Sequence, residues 1–263
     1  MLRNLFCIFT ACAWTVVCFP VTLGIMVLRW NRSASMRIVQ RWWSPVLLWA
    51  GGARLEVSGL DQLDPKRPYI FISNHQSTID IPALFVALRD YDVRFVAKKA
   101  LQYVPFLGWY MWLARFVFVD RGNHREAVRS LDEAGAQIRS GISIIVFPEG
   151  TRSDSLAILP FKKGPFALAM KAGVPVVPVA IEGSGKLMPK NSWNITPGPI
   201  RIRAGSPMDP AQYGDDRIAF ITAVRTAIID LNVSLGGQGG DRNRPIAARG
   251  LEGIARDEEG ARA

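Results

Sequence analysis

From Leu5 to Leu28 the chain carries no charged residue, and the run is bounded by Arg3 and Arg29. That is longer than the roughly 20 residues a helix needs to cross a hydrocarbon core, so a membrane-embedded helix is expected here. Pro20 and Gly24 lie in its second half, where membrane helices tolerate them better than soluble ones. A cleaved signal peptide fits less well. Its apolar region spans only about 7–15 residues, and no convincing small-x-small cleavage site follows this run. Spanning and re-entrant placements both remain open.

Arg29, Arg32, Arg37, Arg41 and Arg54 follow, with no acidic residue before Glu56. Basic residues flanking a membrane segment mark the cytoplasmic side, which puts the rest of the chain at the cytoplasmic (inner) membrane, facing the cytoplasm. Trp30, Trp42, Trp43 and Trp49 stand among these arginines, and tryptophan favours the membrane interface. Met36–Trp49 therefore reads as a second helix lying in one leaflet and broken at Pro45. The alternative is a core helix of the following domain.

Beyond Arg54, short β-rich runs alternate with helix-patterned segments. The expected strands are Arg54–Ser58, Tyr69–Ser73, Val93–Ala97, Phe116–Asp120, Ser143–Phe147, Val176–Ile181 and Ile200–Ala204. Several are continuously apolar, as strands are when helices cover both sheet faces. Asn123–Ser140 reads as a helix, with Asn123 as N-cap, Glu126 three residues on and Gly141 as stop. Asp215–Leu235 reads as another, with Ile218, Ile221, Val224, Ile228 and Leu231 on one stripe. The fold class is α/β: a mixed, mostly parallel sheet covered by helices, with an N-terminal membrane-embedded helical segment. Residues 1–53 form the anchor, 54–235 the α/β domain, and 236–263, polar and glycine-rich, a disordered tail.

Composition narrows the chemistry. A formal net charge of +10 over 263 residues calls for an anionic partner, and the basic residues are spread along the chain with no RNA-binding or zinc-finger signature, so nucleic acid is not expected. All three cysteines, Cys7, Cys12 and Cys18, lie in the apolar run. The body thus has no cysteine nucleophile or disulfide framework. With two histidines, His75 and His124, no metal centre is expected.

The stretch Tyr69–Phe85 places His75 just past a strand, where α/β folds tend to build sites. A helix is expected to begin near Ser77, with Asp80 in its first turn. Two readings of this spacing stay open. Asp80 can hold a ring nitrogen of His75 and stabilise the imidazolium, or Ser77-x-x-Asp80 can simply cap the helix. A second loop, Phe147-Pro148-Glu149-Gly150-Thr151-Arg152-Ser153, follows another apolar strand. Arg121 ends the strand Phe116–Asp120, and Phe161-Lys162-Lys163-Gly164 adds a basic patch. Each basic residue alone fits a solvated surface charge. Converging at strand ends, such residues can hold a phosphate.

Asn74-His75-Gln76-Ser77-Thr78-Ile79-Asp80 matches the NHxSxxD pattern of the glycerophospholipid acyltransferases, and the chain resembles the bacterial 1-acylglycerol-3-phosphate (lysophosphatidic acid) acyltransferases. The resemblance continues in order through Phe95–Arg121, FPEGTRS and Val174–Ile181. It implies His75 as base, Asp80 as its partner, and Arg121, Arg152, Lys98 and Lys162 as contacts for a substrate phosphate. Asn74, Ser77, Glu149, Gly150 and Thr151 would shape the pocket.

The implied reaction moves an acyl chain from acyl-CoA or acyl carrier protein, as co-substrate rather than cofactor, to the 2-hydroxyl of 1-acylglycerol-3-phosphate, giving phosphatidic acid. Partners are then the lyso-lipid, the acyl donor and the membrane surface. An alternative within the superfamily is a lyso-ornithine lipid or lysophosphatidylglycerol acyltransferase. A hydrolase is disfavoured because Gly183-Ser184-Gly185 is not the G-x-S-x-G elbow, and a non-catalytic scaffold because the whole motif is present.

Overall fold

The structure, a computed structural model, describes residues 2–28, 31–120, 124–192 and 194–247. Helix α1 (Leu2–Leu28) runs through Pro20 and is followed by α2 (Arg32–Ile38), a π-helical turn over Val39–Trp43, and α3 (Ser44–Ala50). The expected break at Pro45 does not occur. Before the proline the backbone widens, so that the Ser44 amide donates to the Val39 carbonyl. Pro45 then falls in the first turn of α3, where a missing N–H costs little. Met36, Gln40, Ser44 and Leu48, four residues apart, are buried, whereas Trp42 and Trp49 are exposed. The core reading of this stretch therefore holds for one face only. Gln40 fixes that face, its Nε2 donating to the Leu88 and Tyr91 carbonyls at 3.0 Å each.

Both ends of α1 are docked on the domain. Near its start, Asn4 donates to Asn194 Oδ1 (3.2 Å) and accepts from the Ile195 amide (3.3 Å). Further along, Phe19 packs edge-on against Phe106 (5.7 Å), and Met26 enters the hydrophobic core. Between these points most of the outer face, including Phe9, Val16 and Val21, is exposed.

All seven expected strands form: β1 (Ala53–Ser58), β2 (Ile70–Ser73), β3 (Val93–Lys98), β4 (Val117–Val119), β5 (Ser143–Val146), β6 (Val176–Glu182) and β7 (Gly198–Ala204). They make one sheet in the order β1-β7-β6-β2-β5-β3-β4. Strands β6, β2, β5, β3 and β4 are parallel, and β7 pairs antiparallel with β6 and parallel with β1. Residues of β2, β5 and β6 are buried throughout, which explains their unbroken apolar runs.

The connecting helices are α4 (Asp80–Ala87), α5 (Leu107–Leu113), α6 (His124–Arg139), α7 (Gly164–Ala172), α8 (Ser184–Leu187) and α9 (Arg217–Ser234). One apolar cluster joins the sheet to α2, α3, α4 and α5, and a second joins the other face to α6, α7 and α9. Helix α4 starts at Asp80, not near Ser77, because residues 74–77 are tied outside the helix by the contacts described below. Asp216 caps α9, accepting from the Ala219 amide. Its buried stripe is Phe220, Ile221, Val224, Ile228 and Ile229, leaving the expected Ile218 exposed and the expected Leu231 half-buried. Asn123, expected to cap α6, lies outside the described residues.

The expected disordered tail is corrected in part. Residues 236–247 are folded against the domain: Phe161 bridges Ile246, and the Ile158 amide donates to the Gly239 carbonyl at 2.7 Å. Composition misleads here because the segment is held by backbone hydrogen bonds, which need no apolar side chains. Residues 248–263 lie outside the described residues.

Candidate active site

The parallel arrangement brings the C-terminal ends of β2, β5 and β3 to one sheet edge, the usual place for a site in such folds. Strand β2 ends at Ser73, and the next side chain locks that end to β6. Asn74 donates through Nδ2 to the Ile181 carbonyl (2.9 Å) and accepts from its amide through Oδ1 (2.8 Å). The buried amide is thereby satisfied on both sides.

His75 follows, pinned at every polar atom but one. Its amide donates to Glu149 Oε1 (2.7 Å), and its carbonyl accepts from the Ser153 amide (2.9 Å). The ring lies flat on Phe147, with centroids 3.9 Å apart and 9° between planes. Nδ1 sits 2.8 Å from Asp80 Oδ2. A carboxylate only accepts, so in the neutral imidazole this contact selects the tautomer with the proton on Nδ1 and the lone pair on Nε2. The imidazole is 15% exposed while Asp80 is fully buried.

The two readings of Asp80 turn out to be one structure. Oδ2 also accepts from the amides of Gln76 (2.8 Å) and Ser77 (2.9 Å). One oxygen therefore holds the turn before α4 and orients the histidine.

Glu149 is 4% exposed. Burial is the main cause that pushes its carboxyl up to about 8; the amides of Leu159 and His75 oppose the rise, the neighbouring Asp80 charge adds to it, and Arg225 opposes it. Oε2 accepts from Leu159 (2.9 Å), so each oxygen holds a separate segment. The next residue, Gly150, has φ +74°, and a Cβ there would lie 2.8 Å from Lys162 Cε. Glycine at this point lets the lysine stem cross the loop closely.

Among the expected phosphate contacts, Arg152 reaches the histidine turn and donates to Thr78 Oγ1 at 2.8 Å. Lys162 lies across Gly150, and its amide donates to the Pro148 carbonyl at 2.9 Å. Lys98 is exposed at the end of β3, two strands from β2. Arg121 lies outside the described residues. Of the expected pocket residues, Ser77 anchors the turn by donating to the Met188 carbonyl (2.6 Å), and Thr151 is exposed. Ser184 is fully buried at the start of α8, so a hydrolase built on it would have no accessible hydroxyl.

Sequence reasoning assigns no role to Phe147, Phe95, Gln76 or Arg225. Phe147 stacks on the histidine, and Phe95 on Phe147 at 5.5 Å; the position of Phe147 at the end of an apolar strand next to the Glu149 loop was the available signal. Gln76 donates to the Leu156 carbonyl at 2.7 Å. Arg225, 2% exposed in α9, donates to the carbonyls of Leu159 and Ile158. It lies far away in sequence and carries no local motif.

The site thus presents an imidazole oriented by Asp80 and stacked on Phe147, the kind of group that general-base chemistry uses. A family model described as Acyltransferase matches residues 54–182. A Pseudomonas aeruginosa protein named 1-acyl-sn-glycerol-3-phosphate acyltransferase is 34% identical over 191 residues, spanning 71% of this chain and 73% of its own length. The chain belongs to the 1-acyl-sn-glycerol-3-phosphate acyltransferase family.

Family members from distant sources match as well. A Saccharomyces cerevisiae protein of the same name is 37% identical over 191 residues, covering 70% of this chain and 62% of its own. The chain thus spans somewhat under two thirds of that relative. The crystal structure of the 1-acyl-sn-glycerophosphate (LPA) acyltransferase PlsC from Thermotoga maritima superposes with a TM-score of 0.74 at 30% identity, covering 88% of this chain and 95% of that one.

Proposed function

We propose that this protein transfers an acyl chain from a thioester donor, acyl-CoA or acyl carrier protein, to the 2-hydroxyl of 1-acylglycerol-3-phosphate, giving phosphatidic acid. The observation that carries the reading is the His75 Nδ1–Asp80 contact of 2.8 Å, in a chain whose relatives bear that activity in their names. The lyso-lipid hydroxyl gives its proton to Nε2 as its oxygen attacks the thioester carbonyl. The new C–O bond forms, the C–S bond breaks, and the leaving thiolate takes the proton back from the imidazolium. Asp80 stabilises that cation without itself taking the proton. General-base help of this kind is worth about 10²–10⁴-fold, and positioning and oxyanion stabilisation supply the remainder.

Arg152 and Lys162 are the proposed phosphate contacts, with Arg121 and Lys98 as further members. Arginine suits the role because its planar fork can bind a phosphate bidentately.

Membrane apposition completes the reading, with the catalytic domain on the cytoplasmic side. The exposed apolar face of α1 continues through Trp42 and Trp49. Where Phe19 packs on Phe106, it passes onto exposed Tyr103, Phe106, Trp109 and Trp112. A helix docked at both ends lies along its domain, which favours immersion in one leaflet over a full crossing. A site at the bilayer surface meets two amphiphilic substrates where they reside.

The test supplies membranes carrying the protein with labelled acyl-CoA or acyl carrier protein and a panel of lyso-lipids, comparing wild type with His75→Ala. Transfer by the variant equal to wild type would overturn the mechanism, and preference for a phosphate-free acceptor would overturn the substrate. Arg152→Ala should raise KM for the lyso-lipid about tenfold with kcat nearly kept.

A further inference from the structure

The segment after α9 lies beyond the residues matched by the family model, yet it is wired to the histidine turn by two routes that start at Gly239. The first uses its carbonyl. Gly239 O accepts from the Ile158 amide at 2.7 Å, and the Leu159 amide next to it donates to Glu149 Oε2 at 2.9 Å. The other Glu149 oxygen holds the His75 amide. The second route uses the Gly239 amide, which donates to Asn232 Oδ1 at 3.0 Å. Asn232, fully buried in α9, donates through Nδ2 to the Ile181 carbonyl at 3.0 Å. That carbonyl is also the acceptor for the Asn74 side chain. The routes end on adjacent residues, Asn74 and His75.

Other contacts seat the same segment. Arg225 Nη1 donates to the Asp241 carbonyl (2.6 Å), while its Nη2 and Nε hold the Ile158 and Leu159 carbonyls (2.9 and 3.2 Å). The Phe161 amide donates to the Pro245 carbonyl (2.9 Å), and the Ala247 amide returns a bond to Phe161 (3.0 Å). Gly239 has φ +65°, and a Cβ there would lie 2.9 Å from Val233 Cγ2. The hub position thus needs glycine for both conformation and space.

We infer that residues 236–247 form a positioning strap, centred on Gly239, that holds the Asn74 side chain and the His75 backbone in catalytic register through Asn232 and Glu149. The inference rests on the proposed acyltransferase reading, and residues 236–247 enter it as positioning residues, not as substrate contacts. A buried polar network satisfied along its whole length resists small displacements. Displacement of a catalytic group by about 1 Å can cost about 100-fold in rate. A strap of this kind acts on kcat, because both of its routes end on Asn74 and His75, the turn that orients the base.

The experiment uses the full-length protein with Gly239→Val, Ile246→Asp and the conservative Ile246→Val, assayed in membranes with lysophosphatidic acid and acyl-CoA. Gly239→Val and Ile246→Asp should each lower kcat about tenfold or more while KM for the lyso-lipid stays within about twofold, and Ile246→Val should restore kcat. Wild-type kcat in both disruptive variants, or a loss confined to KM, would overturn the strap. Amide exchange in the wild type gives an answer even if those variants do not fold. The amides of His75, Leu159, Phe161 and Gly239 should open as one unit, and exchange at Gly239 and Phe161 with His75 still protected would overturn it. Failure of wild type to acylate lysophosphatidic acid would instead remove the functional reading, and the exchange result would still decide the coupling.

Discussion

The His75 ring lies on Phe147 at 3.9 Å with 9° between the planes, and Phe147 in turn packs on Phe95 of β3. The imidazole is therefore set by a flat surface as well as by its hydrogen bond to Asp80. Aromatic contacts are worth about 0.5–1.5 kcal/mol beyond the area they bury. Phe147→Leu, which keeps the apolar volume and removes the flat face, should lower kcat about two- to tenfold. Steady-state kinetics at saturating donor and acceptor measure this, and an unchanged kcat would show that the stacking does not position the base.

Asp80 serves two ends at once, so its replacement should show two effects. Asp80→Asn removes the charge that stabilises the imidazolium, and a loss in kcat of about 10²–10⁴-fold is expected. The same change weakens the bonds to the Gln76 and Ser77 amides, at a cost of about 1 kcal/mol in stability. Activity and chemical denaturation on the same preparation separate the two. Near-normal turnover in a destabilised protein would leave Asp80 as a helix cap alone.

Glu149 makes a prediction in pH. Burial raises its folded pKa to about 8 from an ordinary 4.5, so the native state holds this proton more tightly than the unfolded chain. The stability it contributes is fully present below 4.5 and is lost as pH rises through 8. The difference in unfolding free energy between wild type and Glu149→Gln, followed from pH 5 to 9, should shift against the wild type as pH increases. A flat difference across that range would mean that the carboxyl titrates normally.

The exposed aromatic residues of the Lys99–Leu113 region extend the apolar face of α1. Replacing Trp109 and Trp112, both more than half exposed, with serine should weaken binding to lipid vesicles about tenfold or more. The fold should be unaffected, since neither side chain is in the core. Sedimentation with vesicles measures the change, and unaltered binding would restrict the lipid contact to the N-terminal helices.

Much of this architecture was legible because burial on both sheet faces forces continuous apolar runs, and β2, β5 and β6 read that way directly. Strand order was not legible: nothing in Ile200–Ala204 signals that β7 turns antiparallel to β6. The start of α4 was placed three residues early because Ser77 has a capping composition, whereas Asp80 supplies the cap from within the first turn. His75 and Asp80 were found from a motif. Arg225 and Asn232 were not, because their partners are backbone carbonyls whose positions only the folded chain defines. Gly236–Ala247 was misjudged for the related reason that its order comes from main-chain bonds.

Docking of α1 at Asn4 and at Met26 has a kinetic consequence. A helix of 27 residues is about 40 Å long, and when it rests on lipid it confines the enzyme's encounters to two dimensions. The acceptor then arrives by lateral diffusion, and its effective concentration is its mole fraction in the surface. Diluting lysophosphatidic acid with inert lipid at constant bulk concentration should slow turnover, whereas adding whole vesicles of unchanged composition should not. For an enzyme held in this way, the bilayer's composition, more than the volume of the compartment, governs how often the site meets a substrate.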